Sequence, residues 1–72
     1  MKGKVERLKE AKGKLVLVRY NLGGHSEWYS GRLVKVEEKG IYVGSFFIPF
    51  TPNEANRYHI EEIFLVSKRI YP

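Results

Sequence analysis

The chain has 72 residues, no cysteine and a formal net charge of +5. That length allows one small domain. The missing cysteine excludes disulfides and thiolate metal sites.

A core of this size yields roughly 3–5 kcal/mol of net stability. Domains this small commonly gain more from metals or self-association. The N-terminus has no apolar core, so no secretory signal is expected. The longest apolar-rich run, Ile41–Phe50, is broken by Gly44 and Pro49. It falls well short of the about 20 residues a membrane helix needs. These features lead us to expect a soluble, cytoplasmic protein that does not enter a membrane.

The charge is uneven. Residues 1–14 carry Lys2, Lys4, Arg7, Lys9, Lys12 and Lys14 against Glu6 and Glu10, a net +4. The remaining residues carry only +1. The chain therefore divides into a basic segment, 1–13, and a nearly neutral domain, 14–72.

Within the basic segment, Val5, Leu8 and Ala11 fall at helical spacing, which predicts a short helix over 4–11 closed by Gly13. A helix so short holds only if it docks on something; the alternative is a frayed terminus. Leu15–Tyr20, LVLVRY, reads as a strand covered on both faces. Asn21–Ser26 is a loop with paired glycines.

Glu27–Glu37 reads as a long second strand. Tyr29, Gly31 and Leu33 share one phase, whereas Val34 and Val36 share the other. The apolar phase switches at Leu33–Val34, as at a bulge or sharp coil, with Gly31 marking the bend. Glu38, Lys39 and Gly40 form a turn, with Gly40 expected at positive φ. Ile41–Phe47 is the third strand, with Ile41, Val43 and Phe47 as its candidate core residues.

Phe46–Asn56 is expected to be a long loop. Thr51-Pro52-Asn53-Glu54 fits a capping box, which predicts one helical turn near 52–55. Arg57–Ile60 reads as a fourth strand, Glu61–Ile63 as a 3₁₀ turn and Phe64–Ile70 as a fifth strand. Five short antiparallel strands, one of them strongly bent, predict a mainly β small barrel.

The passages LKEAKGKLVLVRY and YSGRLVKV resemble the first half of Sm-like proteins, where a short helix leads to a strand and then to a long strand bent at a glycine. HIEEIFLV resembles the end of Src-homology-3-type barrels. The resemblance implies a small barrel and, from the Sm-like side, RNA binding. The positions of that family's base-holding Asp and Asn are taken here by Val36, Glu37, Glu38 and Lys39. Glutamates there repel phosphate. The expected contacts therefore move to the strand faces and the basic segment.

No nucleophile motif surrounds Ser26, Ser30, Ser45 or Ser67, so an enzyme is not expected. Neither His25 with Glu27 nor His59 with Glu61 and Glu62 makes a closed ligand set, so no metal or cofactor is expected. Basic residues interleaved with aromatics are the better signal, because aromatics stack on unpaired bases while cations hold the backbone. The candidates are Lys4, Arg7, Lys12, Lys14, Arg19, Tyr20, Trp28, Tyr29, Arg32 and Lys35, with RNA or single-stranded nucleic acid as partner. The bland alternative keeps the aromatics half-buried and the cations as a solvated outer face. A second reading takes Phe46, Phe47 and Phe50 in the Phe46–Pro52 loop, with an open strand edge, as the contact for a protein partner or a homo-oligomer.

Overall fold

The computed structural model describes residues 3–52, 57–66 and 68–72. It places a helix, α1 (Lys4–Lys9), ahead of six strands: β1 (Leu15–Leu22), β2 (His25–Val36), β3 (Gly40–Val43), β4 (Phe46–Pro49), β5 (His59–Leu65) and β6 (Lys68–Tyr71). All pairings are antiparallel, and the strands form one sheet in the order β4-β3-β2-β1-β5-β6. The mainly β reading holds. The expected five-stranded closed barrel does not, because the sheet is open, with β4 and β6 as its two edges.

Leu8 of α1 is fully buried and Ala11 nearly so, while the charged positions between them face outward. The helix therefore docks on the sheet, against β2 and β6. Glu6 in the first turn and Arg7 and Lys9 in the last suit the helix dipole. The chain then reverses at Gly13, whose φ of +90° suits glycine. The Gly13 amide donates to the Leu33 carbonyl at 2.7 Å, and Leu33 returns a bond to the Lys14 carbonyl at 2.9 Å.

The β1–β2 hairpin turns on Gly23 and Gly24, both at positive φ, as a two-residue reversal demands. Along β1, Val16 and Val18 are buried, but Leu15 and Leu17 are 66% and 39% exposed. The expectation of a strand covered on both faces is therefore corrected. An uninterrupted apolar run reads the same whether its second face is covered or bare.

β2 is shared between two ladders. It pairs with β1 up to Arg32 and with β3 from Leu33. The register slips between Leu33 and Lys35, leaving Val34 as the extra residue of a bulge. The predicted break is thus present, but Val34 lies outside the core while Leu33 and Val36 are inside. Gly31 contributes by its small size. A methyl group there would sit 3.0 Å from the Val43 side chain.

Two further expectations are corrected. Gly40 is not at positive φ. It is a strand residue whose missing side chain lets β4 approach, since a Cβ would lie 2.4 Å from the Ile48 carbonyl oxygen. The predicted third strand, Ile41–Phe47, is in fact a hairpin. Gly44, at φ +62°, reverses the chain, and Val43 pairs with Phe46.

The predicted 3₁₀ turn at Glu61–Ile63 is continuous β5, and the real turn falls at Val66, inside the predicted fifth strand. Arg19 pairs with Glu62 and Tyr20 with Ile60, so Glu61 is the extra residue of a second bulge. The helical turn expected near 52–55 lies outside the described residues beyond Pro52.

Rings span part of the gap that a closed barrel would fill with a ladder. Phe46 meets Tyr20 edge-on at 5.6 Å, Tyr29 edge-on at 5.0 Å and Tyr58 at 5.6 Å. The Tyr58 hydroxyl donates to the Phe47 carbonyl at 3.1 Å. Among the described residues, no helix is long and apolar enough to cross a membrane.

Candidate nucleic-acid interface

The helix–sheet packing builds a groove of about 460 Å³ between α1 and the β5–β6 hairpin. Its floor is Ala11, Leu65 and Ile70. Its rim carries Arg7, Lys14, Lys68 and Arg69 with Glu10 as the single acid. Arg7 comes from the basic segment and Lys14 is the residue just after it. The other two come from β6, nearly the whole chain away. In a concave site, four like charges reinforce one another's field and draw anions to it. Arg69 also reaches Glu62 at 3.2 Å, so part of its charge is answered on the sheet.

The other face of the sheet is uncovered. Strand pairing sets Ser30, Leu17, Phe64 and Arg69 in one row across β2, β1, β5 and β6. The next row holds Trp28, Arg19 and Glu62. Trp28 is 53% exposed, and its ring lies against Phe64 with centroids 6.1 Å apart. Leu15 continues this apolar stripe toward Lys14. The result is a bare patch of aliphatic and aromatic side chains on the face opposite the one that packs against α1.

The structure sorts the sequence candidates. Arg7 and Lys14 line the groove. Lys12 is exposed beside it in sequence. Lys4 opens α1, and its side chain lies outside the described residues. Arg32 is exposed, pairs with Leu15 across the hairpin and donates to the Gly13 carbonyl. Arg19 is committed elsewhere, bonded to Glu61 at 3.1 Å and to Glu62 at 2.6 Å. Lys35 is held by Glu37 at 2.9 Å, and that hydrogen bond raises its pKa above the ordinary lysine value.

Of the aromatics, Trp28 stands on the bare face, whereas Tyr20 and Tyr29 belong to the ring cluster around Phe46. Of the expected Phe46–Asn56 loop, Phe46–Pro49 is strand β4, so Phe46 and Phe47 are strand residues; with Phe50 they are half-buried, and each is engaged within the chain. Phe46 lies in that cluster, Phe47 against Tyr42 at 5.0 Å, and Phe50 stacked on Tyr71 at 5.2 Å. Phe47 and Phe50 also line a second hollow of about 450 Å³ with Pro49, Glu38 and Lys39.

Lys68, Arg69, Leu15, Leu17 and Phe64 were missed by sequence reasoning. The run SKR was in plain view, but nothing local shows that β6 lies against α1.

His25 and Glu27 approach to 3.5 Å on an exposed strand. Among the described residues, no three His, Cys, Asp or Glu side chains gather as a metal site. No family model, no curated protein and no solved structure matches the chain.

Proposed function

We propose that the chain is a non-enzymatic nucleic-acid-binding module whose ligand is RNA or another single-stranded polyanion. The observation that supports this best is the groove between α1 and β6, with four cations against one acid. Cations at this density fit a run of phosphates better than one carboxylate. The non-enzymatic part rests on composition, since the chain has neither cysteine nor aspartate and no nucleophile motif. We read the bent β2, serving two ladders, as an opened relative of the Sm-like and Src-homology-3-type small barrels, acting in the cytoplasm. The second reading, a protein or homo-oligomer contact through Phe46, Phe47, Phe50 and an open strand edge, is supported by the edge position of β4 and weakened by the engagement of the three half-buried rings within the chain.

The test is a salt-titrated gel shift with single-stranded RNA. Binding is expected at about 50 mM salt and should weaken steeply as salt rises. Lys14→Glu and Lys68→Glu should each weaken binding and flatten the log–log salt slope by about one unit or less. No shift at about 50 mM salt, where phosphate contacts are strong, overturns the reading.

A further inference from the structure

We infer that the bare face of the sheet is where two copies of this chain meet, packed face to face about a two-fold axis along β1. The surface is one that the nucleic-acid reading leaves unemployed, and the inference does not rest on that reading.

Leu15, Leu17 and Trp28 are exposed on that face, with Phe64 half-buried against Trp28. Contiguous apolar surface of this kind marks an interaction site. Neighbouring strands are about 4.8 Å apart, and same-face residues follow about every 6.8 Å along a strand. The strands from β2 to β6, over the rows from Arg32–Leu15 to Ser26–Asn21, therefore offer roughly 500 Å². Two such faces bury about 1,000 Å², the lower limit for a specific interface, and suit a dissociation constant on the order of micromolar.

Charge decides between a second copy and other occupants. Arg19, at the middle of the face, is answered by Glu61 and Glu62, and Arg69 reaches Glu62 from the edge strand. Two cations thus meet two acids. Arg32, at the margin, is turned to the Gly13 carbonyl. Arg7, Lys14 and Lys68 line the groove on the opposite side of the sheet. A nucleic acid, an anionic lipid surface or an acidic protein is drawn to that cationic side. The bare face is the neutral side of a basic molecule, and a second copy brings no like charge against it.

Side-chain size is complementary in the same way. The row Ser30, Leu17, Phe64 runs from small to large. A two-fold contact presents the same patch twice. Turned about β1, the second copy sets its Phe64 over Ser30 and its Leu17 against Leu17. Packed sheets stand about 10 Å apart, close enough for such side chains to interdigitate. A chain this short also gains stability by covering apolar surface with a copy of itself.

Sedimentation equilibrium from about 1 µM to about 1 mM tests this. The mass should climb from that of one chain toward that of two. The emission of Trp28, the only tryptophan in the chain, should shift to the blue over the same range. Leu17→Glu and Ser30→Arg, both at exposed positions, should each weaken the dimer about tenfold or more. A single-chain mass up to about 1 mM overturns the inference. So does a dimer that forms with Trp28 emission unmoved, a result read on the unmodified protein whether or not the variants fold. A dimer broken by a folded Phe47→Ser variant but by neither Leu17→Glu nor Ser30→Arg places the contact at the β4 edge and overturns it as well. The RNA gel shift is a separate measurement, so the groove reading stands or falls on its own.

Discussion

The Arg19 guanidinium holds Glu62 Oε1 through two nitrogens, Nε at 2.8 Å and Nη2 at 2.6 Å. Its third nitrogen, Nη1, reaches Glu61 at 3.1 Å. Adjacent strand residues ordinarily point to opposite faces. The bulge at Glu61 brings both carboxylates to one arginine. Ser26 completes the knot by donating to Glu61 at 2.6 Å.

Hydrogen bonds from Arg19, then from Arg69, hold the Glu62 carboxyl below its ordinary pKa. A carboxyl whose pKa is lowered on folding stabilises the fold above its unfolded value and loses that contribution as pH falls through the folded value. The melting temperature should therefore drop on acidification from about pH 5 to about pH 3. Glu62→Gln should flatten that drop. Parallel profiles for the two proteins would show that the knot does not set the acid limb.

Gly40 is the least replaceable glycine of the sheet. A methyl group would collide with the backbone of Ile48 and Pro49, which cannot swing aside as a side chain can. Gly40→Ala should cost about 1–3 kcal/mol or more. Gly31→Ala should cost less, since the close neighbour is a valine methyl. Chemical denaturation of the two variants gives the order, and the reverse order would refute the contact argument.

Val66 runs the other way. It is a β-branched residue at φ +58° and 92% exposed. Such a residue pays for a left-handed backbone without recovering any buried surface. Val66→Asn should raise stability by about 1 kcal/mol, read from denaturant midpoints at constant slope. An unchanged or lower midpoint would show that this turn carries no strain.

Leu8 couples the helix to the sheet. Leu8→Ala should cost about 2–5 kcal/mol, comparable to the whole net stability of a domain this size. Because α1 supplies one wall of the groove, RNA affinity should fall before global unfolding is complete. A variant that binds as tightly as the parent at full occupancy of the folded state would separate the helix from the site.

Local pattern carried part of this structure. Val5 and Leu8 mark the docked face of α1, which ends at Lys9 short of the expected 4–11, Ala11 is buried in the turn that follows, and Ile41 and Val43 are buried as their alternation requires. What stayed hidden depends on partners distant in sequence. Glu61 and Glu62 look like turn residues until Arg19, 43 positions away from Glu62, is set beside them. LVLVRY is apolar on both phases, so no periodicity could report that one face is bare. Gly44 looks like an interruption of a strand, yet its positive φ starts a new one. The groove was half legible, because the N-terminal cations are conspicuous while their counterparts on β6 look like an ordinary charged end.

The walls of the groove are α1 and β6, the first and last elements of this chain. Synthesis proceeds from the N-terminus at about 5–20 residues per second, so the helix and its cations emerge well before β6 exists. A nascent chain at the ribosome, surrounded by RNA, thus has the charge but not the cleft. The cleft forms only once the β5–β6 hairpin has paired, so its cations from the two ends act together only in the finished fold.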